Sequence, residues 1–240
     1  MTSSVRYAEL TPRAFRERIA AAPIAYLPLG TLEWHGEHLP LGSDAIISEG
    51  FFSALAAKVG GIVLPPLFLG PDSCQVVDGK EFYGMDKASF PDGPPQQLDG
   101  SAYWVSDELF GNLIAAVLKQ LARAGFKIVV AHGHGPSTNF FRAHAAEWED
   151  KFGIKLFICW RAKEEETDGL GIQTDHAGAN ETSLVMALRP ELVEMANLPA
   201  DLKVWPLGVG RRRDPRIHAN ANLGKQAIGL QVERMTEILR

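Results

Sequence analysis

Apolar and polar residues alternate along this chain in two rhythms. Short, mostly apolar runs cover Ile24 to Leu29, Ile62 to Leu64, Phe126 to Val130 and Ile154 to Cys159, and glycine or proline bounds most of them. They read as buried strands. Between them lie longer stretches with helical spacing: Thr11 to Ala21, Ala45 to Val59, Ser106 to Ala124, Ser137 to Phe152, Asn180 to Leu188, and Gly224 to the C-terminus. The punctuation agrees. Thr11 is placed to cap a helix whose first residue is Pro12, and Gly60-Gly61, Gly125 and Gly153 stand where helices should stop. Strand followed by helix, repeated, predicts crossover connections. The expected fold class is therefore α/β, a three-layer αβα single domain over residues 1–240 with a mostly parallel central sheet. In such sheets a ligand site lies beyond the carboxyl ends of the strands.

The stretch 70–105 breaks this rhythm. From Gly70 to Gly100 it is rich in Gly, Pro, Asp and Gln, with scattered aromatics such as Phe82, Tyr83 and Phe90. A segment this long without its own periodicity is usually functional. It reads as a loop that covers a pocket, with room for a short hairpin, or one that serves a subunit interface.

Composition narrows the class. The 240 residues are 46% hydrophobic, enough to bury a substantial core, and the formal net charge is −5. That mild acidity argues against a nucleic-acid binder, which would present a basic face. Cys74 and Cys159 form no CxxC pair, so neither a disulfide framework nor a thiolate zinc site is expected. The first residues lack the apolar run of a signal peptide, and no stretch is long and apolar enough to span a bilayer. A cytoplasmic protein with no membrane partner is the expectation.

Three segments carry candidate chemistry. In Thr31-Leu-Glu-Trp-His-Gly-Glu-His-Leu-Pro-Leu-Gly-Ser-Asp44, Glu33 and His35 are two apart, so in an extended chain they point the same way. Asp44 follows just before a helix, where a loop can return it to the pair. Carboxylate with imidazole suits Zn, Mn or Fe; the plainer reading makes Asp44 a helix cap and His35 a hydrogen-bonded loop residue. In Ala131-His-Gly-His-Gly-Pro-Ser-Thr-Asn139, the glycines let a ligand approach closely, and His132 and His134 are both candidate donors. Asp175-His-Ala-Gly-Ala-Asn-Glu-Thr-Ser183 adds Asp175, His176 and Glu181 around a helix start. His144 and His218 have no such setting, and Arg211 to Arg213 reads as a solvated run that could also meet an anionic group.

Taken in order, these segments resemble the creatininase (creatinine amidohydrolase) family. Its Glu-x-His-Gly-x-His-Leu-Pro signature with a following aspartate is matched by Glu33 to Asp44. Its Asn-Gly-His-Gly-Gly-Asn is matched loosely by His132 to Asn139, and its His-Ala-Gly-Glu-x-Glu-Thr-Ser by His176 to Ser183. The tail from Asp214-Pro-Arg-Ile-His-Ala to Gly224-Lys225 is also similar. Three departures stand out: His132 replaces Asn, two residues are added after the second motif, and Ala179 replaces Glu. The resemblance implies two divalent ions (Zn, Mn or Fe), with Asp44 bridging them, Glu33 and His134 completing one site, and His35 and Glu181 the other. Pro136 stands where creatininase places a glutamate ligand, which favours Glu181.

The activity so implied is hydrolysis of a C–N amide bond in a small molecule, cyclic like creatinine or related, by a bridging water that the ions acidify. His176 is the candidate for proton transfer, since imidazole titrates near neutrality, with Asp175 orienting it. Glu37 and His38 are expected to steady the ligands. Alternatives within the superfamily are a formamide deformylase or a peptide hydrolase; outside it, a catalytically inactive metal-binding subunit. A homo-oligomer, a hexamer, is also implied, with the long loop near an interface.

Overall fold

The computed structural model describes residues 4–87, 94–159 and 169–240. Among these the strands are β1 (Ile24–Leu29), β2 (Ile62–Val63), β3 (Cys74–Val77), β4 (Lys80–Tyr83), β5 (Ile128–Gly133) and β6 (Lys155–Ile158). The α-helices are α1 (Pro12–Ala21), α2 (Ser43–Val59), α3 (Asp107–Arg123), α4 (Gly135–Phe152), α5 (Ala179–Leu188), α6 (Pro215–His218) and α7 (Ala221–Leu239).

The apolar runs lie side by side in one parallel sheet of order β2-β1-β5-β6. β1 is buried at all of its positions, as a central parallel strand with both faces covered should be. Its alternate residues enter different cores. Ile24 and Tyr26, with Val130 from β5, meet Phe51, Phe52, Leu184 and Met235 of α2, α5 and α7. Ala25, Leu27 and Leu29, with Val129, meet Phe110, Ile114, Phe141 and Trp148 of α3 and α4. The result is the expected α/β fold with helices on both sides of a parallel sheet.

Local chemistry sets the element ends. Thr11 Oγ1 accepts from Ala14 N at the start of α1, and Gly153 closes α4 with a φ of +64°. Three boundaries differ from the sequence reading, and all bear on the site. The strand read as Phe126 to Val130 runs instead through His132 to Gly133, because β1 offers pairing partners as far as Leu29. Helix α2 begins at Ser43, so Asp44 sits in its first turn and not in the loop before it. Helix α4 begins at Gly135, directly after His134.

Within 70–105 there is a hairpin, β3 paired antiparallel with β4. Asp78 and Gly79 at its tip have φ of 50° and 76°, which is what a two-residue type I′ turn requires. A bridge from Gly70 to Trp104 joins the two ends of this segment, and one from Leu32 to Ala102 ties it to the chain leaving β1. No helix among the described residues is long and apolar enough to cross a membrane.

Candidate metal centre

Four short stretches converge beyond the carboxyl ends of β1 and β5. Glu33 and His35 lie on the irregular chain leaving β1. There Glu33 N donates to Leu41 O (3.0 Å) and Trp34 N to Ser101 Oγ (2.9 Å). His35 Nδ1 lies 2.9 Å from Glu33 O; that carbonyl can only accept, so Nδ1 carries a proton and Nε2 is the nitrogen turned to the carboxylates. Asp44 and Glu181 stand in the first turns of α2 and α5, at helix ends that favour negative charge. His134 occupies the joint between β5 and α4.

That joint depends on glycine. Gly133 has a φ of +148°, and a Cβ there would fall 1.5 Å from Leu29 O, the same carbonyl that accepts from His134 N at 2.9 Å. Gly133→Ala is therefore expected to destabilise the fold by about 3 kcal/mol or more, read as a lowered midpoint in urea denaturation. An unchanged midpoint would refute this account of the joint.

The five candidate ligands are thus brought together. His35 is fully buried, and Glu33, Asp44, His134 and Glu181 are only 3–4% exposed. They form two overlapping triads, Glu33–Asp44–His134 and His35–Asp44–Glu181, each with ligand atoms within 4.8 Å of one another. Asp44 belongs to both. Its Oδ2 lies 3.1 Å from His134 Nδ1, and its Oδ1 lies 3.6 Å from His35 Nε2. His134 Nδ1 is also 3.5 Å from Glu33 Oε2, and His35 Nε2 is 3.6 Å from Glu181 Oε2.

Such a cluster carries charge at a depth where charge is expensive. Burial pushes Glu33 up to about 7 and drives Glu181 well above the usual carboxylate range. For Asp44 burial acts in the same direction, but the imidazoles of His35 and His134 outweigh it and hold the carboxyl well below its ordinary value. Burial alone would lower both histidines; the surrounding carboxylates, Asp44 foremost, instead raise each to about 10.

The donor set fits a divalent cation. His35 Nε2 is buried and has no hydrogen-bond partner among the described residues. It is 3.6 Å from two carboxylate oxygens. These separations are too long for hydrogen bonds, and they suit lone pairs arranged around an ion.

The other residues singled out in the sequence fall into place around this cluster. His176 stacks against His35 with ring centroids 4.3 Å apart. Its Nε2 lies 2.8 Å from Trp34 O, so that carbonyl orients the ring and leaves Nδ1 without the proton. Burial, then the nearby His35, lowers its pKa to about 3. Asp175 was expected to orient His176; its carboxylate instead accepts from the backbone N–H groups of Asn180 (2.9 Å) and Glu181 (3.1 Å), capping α5. It positions Glu181 by fixing the start of that helix. His38 Nε2 meets Thr182 Oγ1 at 2.9 Å, linking the β1 loop to α5. Glu37 is exposed and supports no ligand side chain through any hydrogen bond found for it. His132 lines the cavity beside the cluster, as does Arg212. His144 stacks between Phe140 and Trp148, away from the site.

Two contributors escaped the sequence reading. Gln173, with a φ of +54°, donates from Nε2 to Asp44 Oδ1 (2.6 Å) and accepts at Oε1 from Ser48 Oγ (3.0 Å). Asp72 Oδ2 lies 3.3 Å from His134 Nε2. Neither belongs to a recognisable motif, and no local spacing marks them. The cluster opens into a cavity of about 700 Å³ whose walls include Asp72, Met85, Thr138, Gln173, His176 and Arg212.

The family model described as Creatininase: Creatinine amidohydrolase matches residues 8–238. A creatinine amidohydrolase of Pseudomonas putida is 28% identical over 214 residues, covering 81% of this chain and 76% of that protein. A mutant creatininase of Zn–Zn type aligns over 100% of this chain and 98% of its own at 22% identity, with a TM-score of 0.75. A creatininase structure with Mn aligns over 99% and 98% at 22% identity, with a TM-score of 0.74. At that identity the structures speak for the shared fold.

Proposed function

Because the chain belongs to the creatininase family of metal-dependent amidohydrolases, we propose that it holds two divalent ions at Glu33–Asp44–His134 and His35–Asp44–Glu181 and hydrolyses a C–N amide bond of a small molecule. The observation that carries this reading is Asp44, which turns one oxygen to each triad. The ligands are all nitrogen and oxygen, a set that accepts Zn, Mn or Fe. When bound, the ions would supply Lewis acidity toward an amide carbonyl and a water acidified to near neutrality.

The protein's own groups do the rest. Gln173 holds Asp44 Oδ1 and so fixes the plane of the shared carboxylate. Trp34 O keeps the proton of His176 on Nε2, so Nδ1 is the atom that takes a proton and later returns it to the leaving nitrogen. Burial, then the nearby His35, keeps the ring neutral at working pH. The apolar part of the cavity wall, with Met85 and Ile172, limits water.

The substrate proposed is a cyclic or otherwise compact amide. Creatinine itself is not favoured, since Ala179 and the added pair Ser137-Thr138 alter the surroundings of the third and second motifs. A formamide or a short peptide is the second choice. The reading extends to a cytoplasmic homo-oligomer, a hexamer, and the exposed Tyr103 and Leu109 at the end of the long segment suit a subunit contact there.

The test is to strip the protein with a chelator and reload it with zinc or manganese at pH 8. About two ions per chain are expected. The sign of the proton change is fixed: His35 and His134, raised to about 10, hold protons at pH 8 that a metal must displace. Loading should therefore release protons, seen as a buffer-dependent heat in calorimetry, and release should fade above pH 10. A panel of cyclic amides, formamides and peptides then reads the activity. No metal uptake would sink the proposal; uptake without hydrolysis of any amide would favour an inactive metal-binding subunit.

A further inference from the structure

We infer that Asp72 is a positioning residue for one half of the centre, the carboxylate that holds the His134 ring with Nδ1 turned to the ion. The inference rests on the metal reading above and adds a residue that no motif includes.

The geometry is directional. His134 Nδ1 faces Asp44 and Glu33, at 3.1 and 3.5 Å, while its Nε2 faces Asp72 Oδ2 at 3.3 Å. The last is an ion-pair contact rather than an aligned hydrogen bond, since Nε2 has no partner in good hydrogen-bond geometry. Carboxylates stand at both ends of the ring: a metal held by Asp44 and Glu33 displaces the proton on Nδ1, and Asp72 holds the one that stays on Nε2. Asp72 is itself held in place. Its Oδ1 accepts from Ser73 N (2.6 Å) and Ser73 Oγ (3.2 Å), and its side chain is only 7% exposed.

The contact is confined to one half-site. His35 gives its Nδ1 proton to a neutral backbone carbonyl, Glu33 O. Of the two histidines, His134 has the charged acceptor, which makes its lone pair the more basic. The same half-site is gripped from the far end of the β3–β4 hairpin. Met85 N lies 3.3 Å from Glu33 Oε1, and a Cβ on Gly84 would meet both Glu33 Oε1 (2.5 Å) and Asp72 Oδ2 (2.8 Å). Both feet of the hairpin therefore stand on the Glu33–His134 half. The long segment is part of the metal centre, beyond its role as a cover.

The test uses cobalt as the probe, titrated into chelator-stripped protein and followed by its visible absorption, with affinities taken from chelator competition. Wild type should bind two ions. Asp72→Asn should weaken one of them 10- to 100-fold and leave the other at its wild-type affinity. Asp72→Ala should weaken the same ion, but less. The order is diagnostic. Ser73 N holds the amide oxygen of asparagine, so its NH2 is the group turned toward Nε2 and opposes the required tautomer; alanine merely releases the ring. A residue that only supports the loop would give the reverse order, because asparagine preserves more structure. Equal binding of both ions in both variants, or alanine worse than asparagine with both ions affected alike, overturns the inference. If the variants do not fold, a zinc-loaded crystal of the wild type decides. Anomalous scattering should place an ion at His134 Nδ1, and an ion at Nε2, between His134 and Asp72, overturns it. Wild type that binds two ions while the variants behave like it defeats this inference alone, whereas wild type that binds none defeats the metal reading with it.

Discussion

Asp44→Ala is expected to empty both half-sites and reduce turnover by at least about 10³-fold. The two triads have only this residue in common, and its oxygens are divided between them, Oδ2 toward His134 and Oδ1 toward His35. Every other ligand change should spare one ion; this one should spare neither. The loss also removes the negative charge that holds His35 and His134 in their raised state, so two imidazoles are left facing Glu33 and Glu181 across an unfilled space. Elemental analysis beside wild type is the measurement. Asp44→Asn sharpens it, because the amide keeps the shape and one oxygen while losing the charge. Retention of two ions per chain in Asp44→Ala would refute the shared-ligand assignment.

His176→Ala is expected to keep both ions and lose turnover by about 10²- to 10⁴-fold, the range of a positioned proton-transfer group. The ring is held between His35 and the Trp34 carbonyl, with Nδ1 as its open face. KM should move little, because the loss falls on proton transfer rather than on substrate contacts. Near-normal kcat would remove His176 from the chemistry. A third result is informative too. His176 also lies within ligand range of Glu33 and His35, so loss of one ion along with activity would make it a ligand and leave the proton transfer to another group.

Much of this was legible before the fold. The strand and helix rhythm yielded the parallel sheet, because a buried strand and a half-buried helix each impose their period on local sequence. The five ligand candidates were legible because three of the segments resemble a known family and keep their order. Asp78-Gly79 is a strong type I′ signal, but the Pro- and Gly-rich sequence around it masks the strands it joins. The boundaries near the site were harder. Asp44 looked like a residue before a helix and proved to be within its first turn. No sequence rule separates the two, because Asp suits both positions.

By itself, then, the sequence determined the layer architecture and singled out the candidate ligands, properties carried by short stretches of chain. The tertiary structure alone decided how those stretches meet. It assigned Asp175 to the cap of α5 and gave the orientation of His176 to the Trp34 carbonyl. It brought Gln173 onto Asp44 across 129 residues of chain and set Asp72 against the back of His134. Such pairings follow from chain closure around a packed sheet, where proximity is set by the sum of many distant contacts. They leave no period, spacing or composition behind for a reader of the sequence to find.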